Sequence, residues 1–143
     1  MHRPYVRAIL AVAVLTTGAC SNDTLSSLTT PTNPTIFTDT FTGTLSQNGS
    51  FTHSFTTASL GAVTVTIVSL TPNASQIVGL SLGVWNGSAC STSPQTGGSS
   101  SDTATSGSSI TLNASAAGSL CVRLYDVGFI TAPVLYTLQV THP

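Results

Sequence analysis

The chain contains no lysine and no glutamate, and charged residues make up only 5% of its 143 residues. An ordinary soluble domain carries roughly one quarter. The only basic side chains are Arg3, Arg7 and Arg123. So few cations cannot neutralise a run of phosphates, and we therefore expect no nucleic-acid partner. The apolar run at residues 8–15 is also shorter than the ~20 residues that a membrane-spanning helix needs.

The first twenty residues are typical of an export signal. Arg3 and Arg7 come before the apolar run, which is the order of the charged and hydrophobic regions of a secretory signal peptide. The run is followed by Thr17-Gly18-Ala19-Cys20, which resembles the lipobox at which bacterial lipoprotein signal peptides are cut. That resemblance implies that Cys20 is the acylated N-terminus of the mature chain, carrying palmitate and other acyl chains that hold it on a membrane.

The cysteine count favours acylation of Cys20. In an oxidising compartment Cys90 and Cys121 can form a disulfide, which leaves Cys20 over, and exported proteins tend to avoid an odd exposed thiol. One alternative is an ordinary signal peptide cut near Gly18 or Ala19, with Cys20 left as a free thiol. The other is that Cys90 and Cys121 are two buried free thiols.

These features divide the chain into three parts: a signal peptide at 1–19, a lipidated cysteine with a tether at 20–35, and a folded domain at 36–143. The tether is built of Ser, Thr, Asn and Pro with two leucines, and cannot bury enough apolar surface to fold. Ser21 after the cysteine favours the outer membrane or cell surface. Without the signal peptide, the chain has one arginine and four aspartates, which gives a net charge of −3.

From residue 36 onward, short β-branched and aromatic runs alternate with turn residues. This spacing predicts an all-β domain, a single β-sandwich of about seven mostly antiparallel strands of jelly-roll or immunoglobulin-like type. The predicted strands are 37–45, 50–56, 62–70, 78–85, 109–114, 119–126 and 134–141. The turn Gln47-Asn48-Gly49 predicts that the first two strands form a hairpin. Residues 91–108 are almost wholly Ser, Thr, Gly, Asp and Pro, which predicts a long polar loop that a Cys90–Cys121 bridge would close.

Period-two alternation also predicts which side chains face the core. We expect Ser81 and Gly83 to point outward from their strand. The expected inward side chains are Val63, Val65, Ile67, Leu80, Leu82, Val84, Leu120, Val122, Leu124, Tyr136, Leu138 and Val140.

Ordered motifs between Thr42 and Val140 resemble the bacterial pre-peptidase C-terminal domain, a β-sandwich found behind secreted proteases and in other exported proteins. The matching segments are 41–45 (FTGTL), 51–55, 61–67, 117–124 (AGSLCVRL) and 136–140 (YTLQV). The resemblance implies an accessory module for adhesion, substrate targeting or assisting secretion. The family has no catalytic residues to transfer.

The residues give little support for catalysis or a metal. His53 lies between Phe51 and Phe55 on one strand face, which is typical of a packed or rim residue, and there is no G-x-S-x-G motif. Asp102 and Asp126 with loop carbonyls are the most plausible calcium ligands, but no ligand spacing supports them, and Asp126 is more simply a turn residue. We therefore predict a protein that is not an enzyme, with no cofactor and no assigned metal site.

The candidate binding residues are Trp85, Arg123 and Tyr125, which we expect to form part of a shallow surface that stacks on a sugar ring or a peptide. The alternative for Trp85 is that it packs over the Cys90 bridge. The leading function is a membrane-tethered interaction or structural module, with a surface protein or polysaccharide as partner beside the lipid bilayer. The second function is carbohydrate binding through Trp85 and nearby aromatic residues.

Overall fold

The computed structural model describes residues 33–143, so that the predicted signal peptide, Cys20 and most of the tether lie outside the described residues. The described part contains nine strands and one 3-10 turn at Pro94–Thr96. The strands are β1 Phe37–Leu45, β2 Ser50–Thr57, β3 Gly61–Thr71, β4 Val78–Trp85, β5 Cys90–Ser91, β6 Ser99–Ala104, β7 Ser109–Ala114, β8 Gly118–Tyr125 and β9 Val134–His142. Within residues 33–143, no helix is long and apolar enough to span a bilayer.

The strands form two antiparallel sheets that pack face to face. Sheet A has the order β1-β9-β3-β7, and sheet B has the order β2-β8-β4-β5, with β6 also paired to β4. If the two-residue β5 is set aside, this is the strand order of an eight-stranded jelly roll. The predicted sandwich is therefore confirmed, and all seven predicted strands are present with ends within one residue of their predicted bounds.

Alternating side chains from both sheets fill the space between them. The predicted inward residues are buried, except for Val84, which lies near the end of β4 and is 39% exposed. Strong period-two alternation fixes the buried face because a shift of one residue would turn every apolar side chain to solvent. The core is formed by Leu45, Phe55, Val63, Val65, Ile67, Leu70, Val78, Leu80, Leu82, Ala104, Ile110, Leu112, Ala114, Leu120, Val122, Leu124, Ile130, Val134, Tyr136, Leu138 and Val140.

The predicted hairpin between β1 and β2 is wrong. The tight turn is present, since the Gly49 N–H donates to the Ser46 carbonyl at 2.9 Å and Asn48 adopts a φ of 56°. However, β1 pairs with β9 and β2 pairs with β8, so the turn carries the chain from one sheet to the other. A tight turn specifies a reversal of the chain but not the strand that lies alongside. Here the two strands face each other across the core, with the rings of Phe41 and His53 stacked at 4.7 Å between centroids.

The predicted loop at 91–108 is also wrong, because most of it is ordered against sheet B. Strand β6 pairs with β4, with Ser101 opposite Leu80 and Ser99 opposite Leu82. A strand that contributes mainly backbone hydrogen bonds at a sheet edge needs no apolar alternation, so its sequence resembles a loop. Ser81 and Gly83, which were predicted to point outward from their strand, are buried, and Ser81 is only 3% exposed.

Candidate binding sites

A disulfide closes the segment that covers sheet B. Cys90 on β5 is bonded to Cys121 on β8, with 5.7 Å between their Cα atoms, as predicted from the cysteine count. Gly83 lies on β4 directly opposite Cys121. A Cβ at Gly83 would collide with the Ser91 carbonyl. Glycine at this position therefore allows the chain after Cys90 to lie directly over β4.

A groove of about 650 Å³ opens beside the covered end of β4. Val84 and Trp85 form one side of it, and the turn at Thr96 contributes to another. The remaining lining comes from residues 112–120, at the end of β7 and the start of β8. Trp85 is partly exposed in this wall and pairs with Cys90 in the strand register. The lining combines apolar side chains with the amide of Asn113, which suits a ligand with both apolar and polar surface.

Arg123 and Tyr125 lie together on the outer face of sheet B. The guanidinium carbon of Arg123 is 5.2 Å from the centroid of the Tyr125 ring, a cation–π contact. The Tyr125 hydroxyl donates to Oδ1 of Asp102 on β6. Burial raises the pKa of Tyr125 to about 12, with further contributions from the hydrogen bond and charge of Asp102 and an opposing one from Arg123.

Gly79 allows the Tyr125 ring to reach Asp102. Tyr125 lies on β8 and Asp102 on β6, with β4 between them, and Tyr125 is directly opposite Gly79 on β4. A Cβ at Gly79 would collide with the Tyr125 ring. The sequence reasoning missed both Gly79 and Asp102 as parts of this site. A glycine inside an apolar strand is a signal of close approach, whereas nothing in the sequence pairs Asp102 with Tyr125.

The structure separates Trp85 from the other two predicted binding residues. Arg123 pairs with Ser81, which is four residues from Trp85 along β4, or ~13 Å at the usual rise of a strand. Gly83 lies between them along β4, and the backbone of Ser91 and Thr92 lies over it. Trp85 thus belongs to the groove, while Arg123 and Tyr125 belong to the open sheet face, and their roles in binding stay predictions.

The two described histidines have packing partners in and around the core. Nε2 of His53 is 2.9 Å from the Tyr136 hydroxyl, and burial lowers the His53 pKa. His142 ends β9, is buried, and lies 3.2 Å from Asp39. Among residues 33–143, neither histidine hydrogen-bonds a serine, threonine or cysteine side chain.

Asp126 serves as a turn residue. Its Oδ1 accepts the backbone N–H groups of Gly128, Phe129 and Ile130, and its Oδ2 accepts that of Asn48 at 2.8 Å. These bonds favour the ionised carboxylate, the one from Asn48 most, and lower the Asp126 pKa. In the described part of the chain, no three His, Cys, Asp or Glu side chains are grouped as metal ligands.

The outer face of sheet A has a shallow depression of about 390 Å³. Its lining is dominated by the hydroxyls of Thr42, Thr44, Ser69, Thr71 and Thr137. Its lining has no tryptophan, unlike the groove, and no charged side chain, unlike the Arg123 face of sheet B.

A scan against models of known protein families finds no match to the chain, and a search of curated proteins finds none either. The resemblance to the pre-peptidase C-terminal domain therefore rests on the motifs given above and stays a prediction.

Proposed function

We propose that the chain is a non-enzymatic, exported lipoprotein, tethered by acylated Cys20, whose jelly roll is an interaction module at the cell surface. The observation that carries the binding role is the groove beside Trp85. Small-ligand sites are concave, commonly ~300–1,000 Å³, and combine an apolar wall with a few polar groups. This groove, of about 650 Å³, meets that description.

The disulfide supports the same role. It joins β8 to the segment that leads to the Thr96 turn, and both the turn and β8 contribute to the groove lining. A wall fixed by a covalent bond loses less conformational freedom when a ligand binds, which favours affinity. The tether would hold this groove away from the lipid, where a surface partner can reach it.

Carbohydrate is the second candidate function, and Trp85 is the observation that favours it. An indole ring presents a large flat apolar face on which the C–H face of a sugar can stack. The Asn113 amide and the Thr96 hydroxyl in the same lining offer donors and acceptors for sugar hydroxyls. The proposed interaction module would then recognise a polysaccharide.

Glycan-array binding by the full chain tests the groove. We expect Trp85→Ala to lose signal and Trp85→Phe to retain part of it, since phenylalanine keeps an aromatic face. Phe129→Ala is the matched control, because it removes another exposed ring, 60% exposed, outside the groove. Unchanged binding by Trp85→Ala, with an unchanged melting temperature, would contradict the proposal for the groove.

Cell fractionation tests the tether. The wild-type chain should sediment with membranes, whereas Cys20→Ala should not carry acyl chains and should lose its resistance to release by salt. Equal fractionation of the two chains would contradict anchoring through Cys20.

A further inference from the structure

Arg123 stands alone among the described residues as a permanently charged cation. It is exposed on sheet B, and within residues 33–143 its guanidinium makes no salt bridge and no hydrogen bond. A guanidinium carries five N–H donors in a planar fork that matches a carboxylate with two parallel bonds. All of these donors are therefore available to a ligand.

The guanidinium is held in place from below. Arg123 lies over the Tyr125 ring, which lies against Gly79, and the Tyr125 hydroxyl is bonded to Asp102. A long side chain normally loses considerable rotamer freedom when it binds a ligand. A guanidinium already held on a ring loses less of that freedom, so the arrangement favours binding.

Hydroxyl groups lie on the strands at either side of this position, and the Asp102 carboxylate accepts the hydrogen bond of the Tyr125 hydroxyl. Thr52 pairs with Arg123 from β2, and Ser100 pairs with Ser81 on the far side of β4. Both Thr52 and Ser100 are exposed. The surface thus offers a carboxylate receptor flanked by neutral hydroxyls that can both donate and accept hydrogen bonds.

We propose that this face, formed by Thr52, Ser100, Arg123 and Tyr125, binds the carboxylate of a uronic acid unit in an acidic polysaccharide. The carboxylate pairs with the Arg123 fork, and the sugar hydroxyls bond the flanking threonine and serine. A polymer repeats its carboxylates and the chain is surface-tethered, so many weak contacts add up through effective concentration. This inference rests on the carbohydrate-binding candidate and names its ligand class, at a site separate from the Trp85 groove.

The test uses the full chain purified in detergent and immobilised through a tag, with polygalacturonate as the probe. Its methyl ester is the matched ligand control, because it keeps the polymer and caps the carboxylates. We expect the wild-type chain to bind the free acid at least about tenfold more tightly than the ester, as the loss of a charge-assisted bidentate pair requires. Arg123→Gln should lose this preference, and Arg123→Lys should keep part of it, since an ammonium has charge without the fork.

A charge-matched variant separates the site from net charge. Arg123→Gln combined with Thr111→Arg restores one cation on an exposed position of sheet A. We expect this double variant to bind polygalacturonate as poorly as Arg123→Gln. Wild-type binding by the double variant, or equal binding of acid and ester by the wild-type chain, would overturn the inference.

Two further outcomes keep this inference distinct from the proposed function. Binding of neutral glycans that depends on Trp85, with no uronate binding, would overturn the Arg123 site and leave the groove intact. Binding of a peptide with a free C-terminal carboxylate, without binding of polygalacturonate, would also overturn it, because the partner would then be a protein.

Discussion

The outer faces of the two sheets follow the same alternation but have different surroundings. On sheet A, hydroxyl side chains of neighbouring strands lie in register and hydrogen-bond each other, with Thr64 and Thr111 at 3.1 Å and Thr66 and Ser109 at 2.7 Å. On sheet B, the segment after Cys90 covers β4, and a charged cluster lies beside it. The alternation therefore determines which side chains point outward, and glycines at 79 and 83 determine what can lie over them.

Among the changes that test this comparison, removal of the disulfide that fixes the cover over sheet B should lower the free energy of unfolding most. Cys90→Ala combined with Cys121→Ala removes a crosslink across 31 residues, which should lower the free energy of unfolding by about 3.5 kcal/mol in the chain-entropy picture. Urea unfolding measures the loss, and a reductant added to the wild-type chain should reproduce it. A loss of well under about 1 kcal/mol would indicate that the covering segment holds its place without the bond.

Gly83→Ala should cause the next largest loss of stability. Because its Cβ would collide with the Ser91 carbonyl, we expect a loss of about 2–3 kcal/mol in urea unfolding. Gly118→Ala is the control, since a Cβ there meets nothing within 4 Å. Similar losses of stability at Gly83 and Gly118 would contradict this account, because the segment over β4 would then not depend on the absence of a side chain at Gly83.

Asp126→Ala probes the connections between the faces, since the β1–β2 turn and the β8–β9 connection both cross from one sheet to the other. Loss of four accepted backbone hydrogen bonds at a partly exposed site should cost about 1–2 kcal/mol at neutral pH. The lowered pKa makes this stabilisation present above the ordinary pKa of 3.8 and lost as pH falls through the folded-state value. The difference in unfolding free energy between wild type and variant should therefore shrink in acid. A difference that stays constant with pH would contradict a stabilising role for the ionised carboxylate.

Thr66→Val should have the smallest effect. Its hydroxyl bond to Ser109 is exposed, and valine suits a strand, so we expect a change within about 0.5 kcal/mol in either direction. Thr52→Val on sheet B is the matched variant, and it should be equally mild in stability but weaken polygalacturonate binding. A large loss of stability at Thr66 would show that the hydroxyl rows of sheet A contribute to the fold.

The sequence predicts the elements of this fold better than their partners. Strands such as β3 and β8 carry clear alternation, so their positions and buried faces could be read directly. Alternation does not specify which strand lies alongside, and the Asn48-Gly49 turn suits a hairpin as well as a crossing between sheets. Strand β6 has no alternation of apolar and polar residues that would predict a strand. It lies at the edge of sheet B and contributes mainly backbone hydrogen bonds, which serine can make as well as any other residue.

The candidate binding residues show the same limit. Trp85, Arg123 and Tyr125 were identified by residue type and position near strand ends. Their separation into a groove and an open face depends on β5 and β6 covering β4, which alternation alone does not predict. Cys90 and Cys121 could be paired because the cysteine count of a chain predicted to be exported constrains them. Asp102, in contrast, joins Tyr125 only through the register of three strands.

Intact mass of the chain from the membrane fraction of a bacterial host, with and without reductant, tests most directly whether this is an exported, tethered and disulfide-closed sandwich. We predict an acylated mass that begins at Cys20 and rises by two hydrogens on reduction. An unlipidated soluble product would contradict the tether, and a mass unchanged by reduction would contradict the Cys90–Cys121 bond.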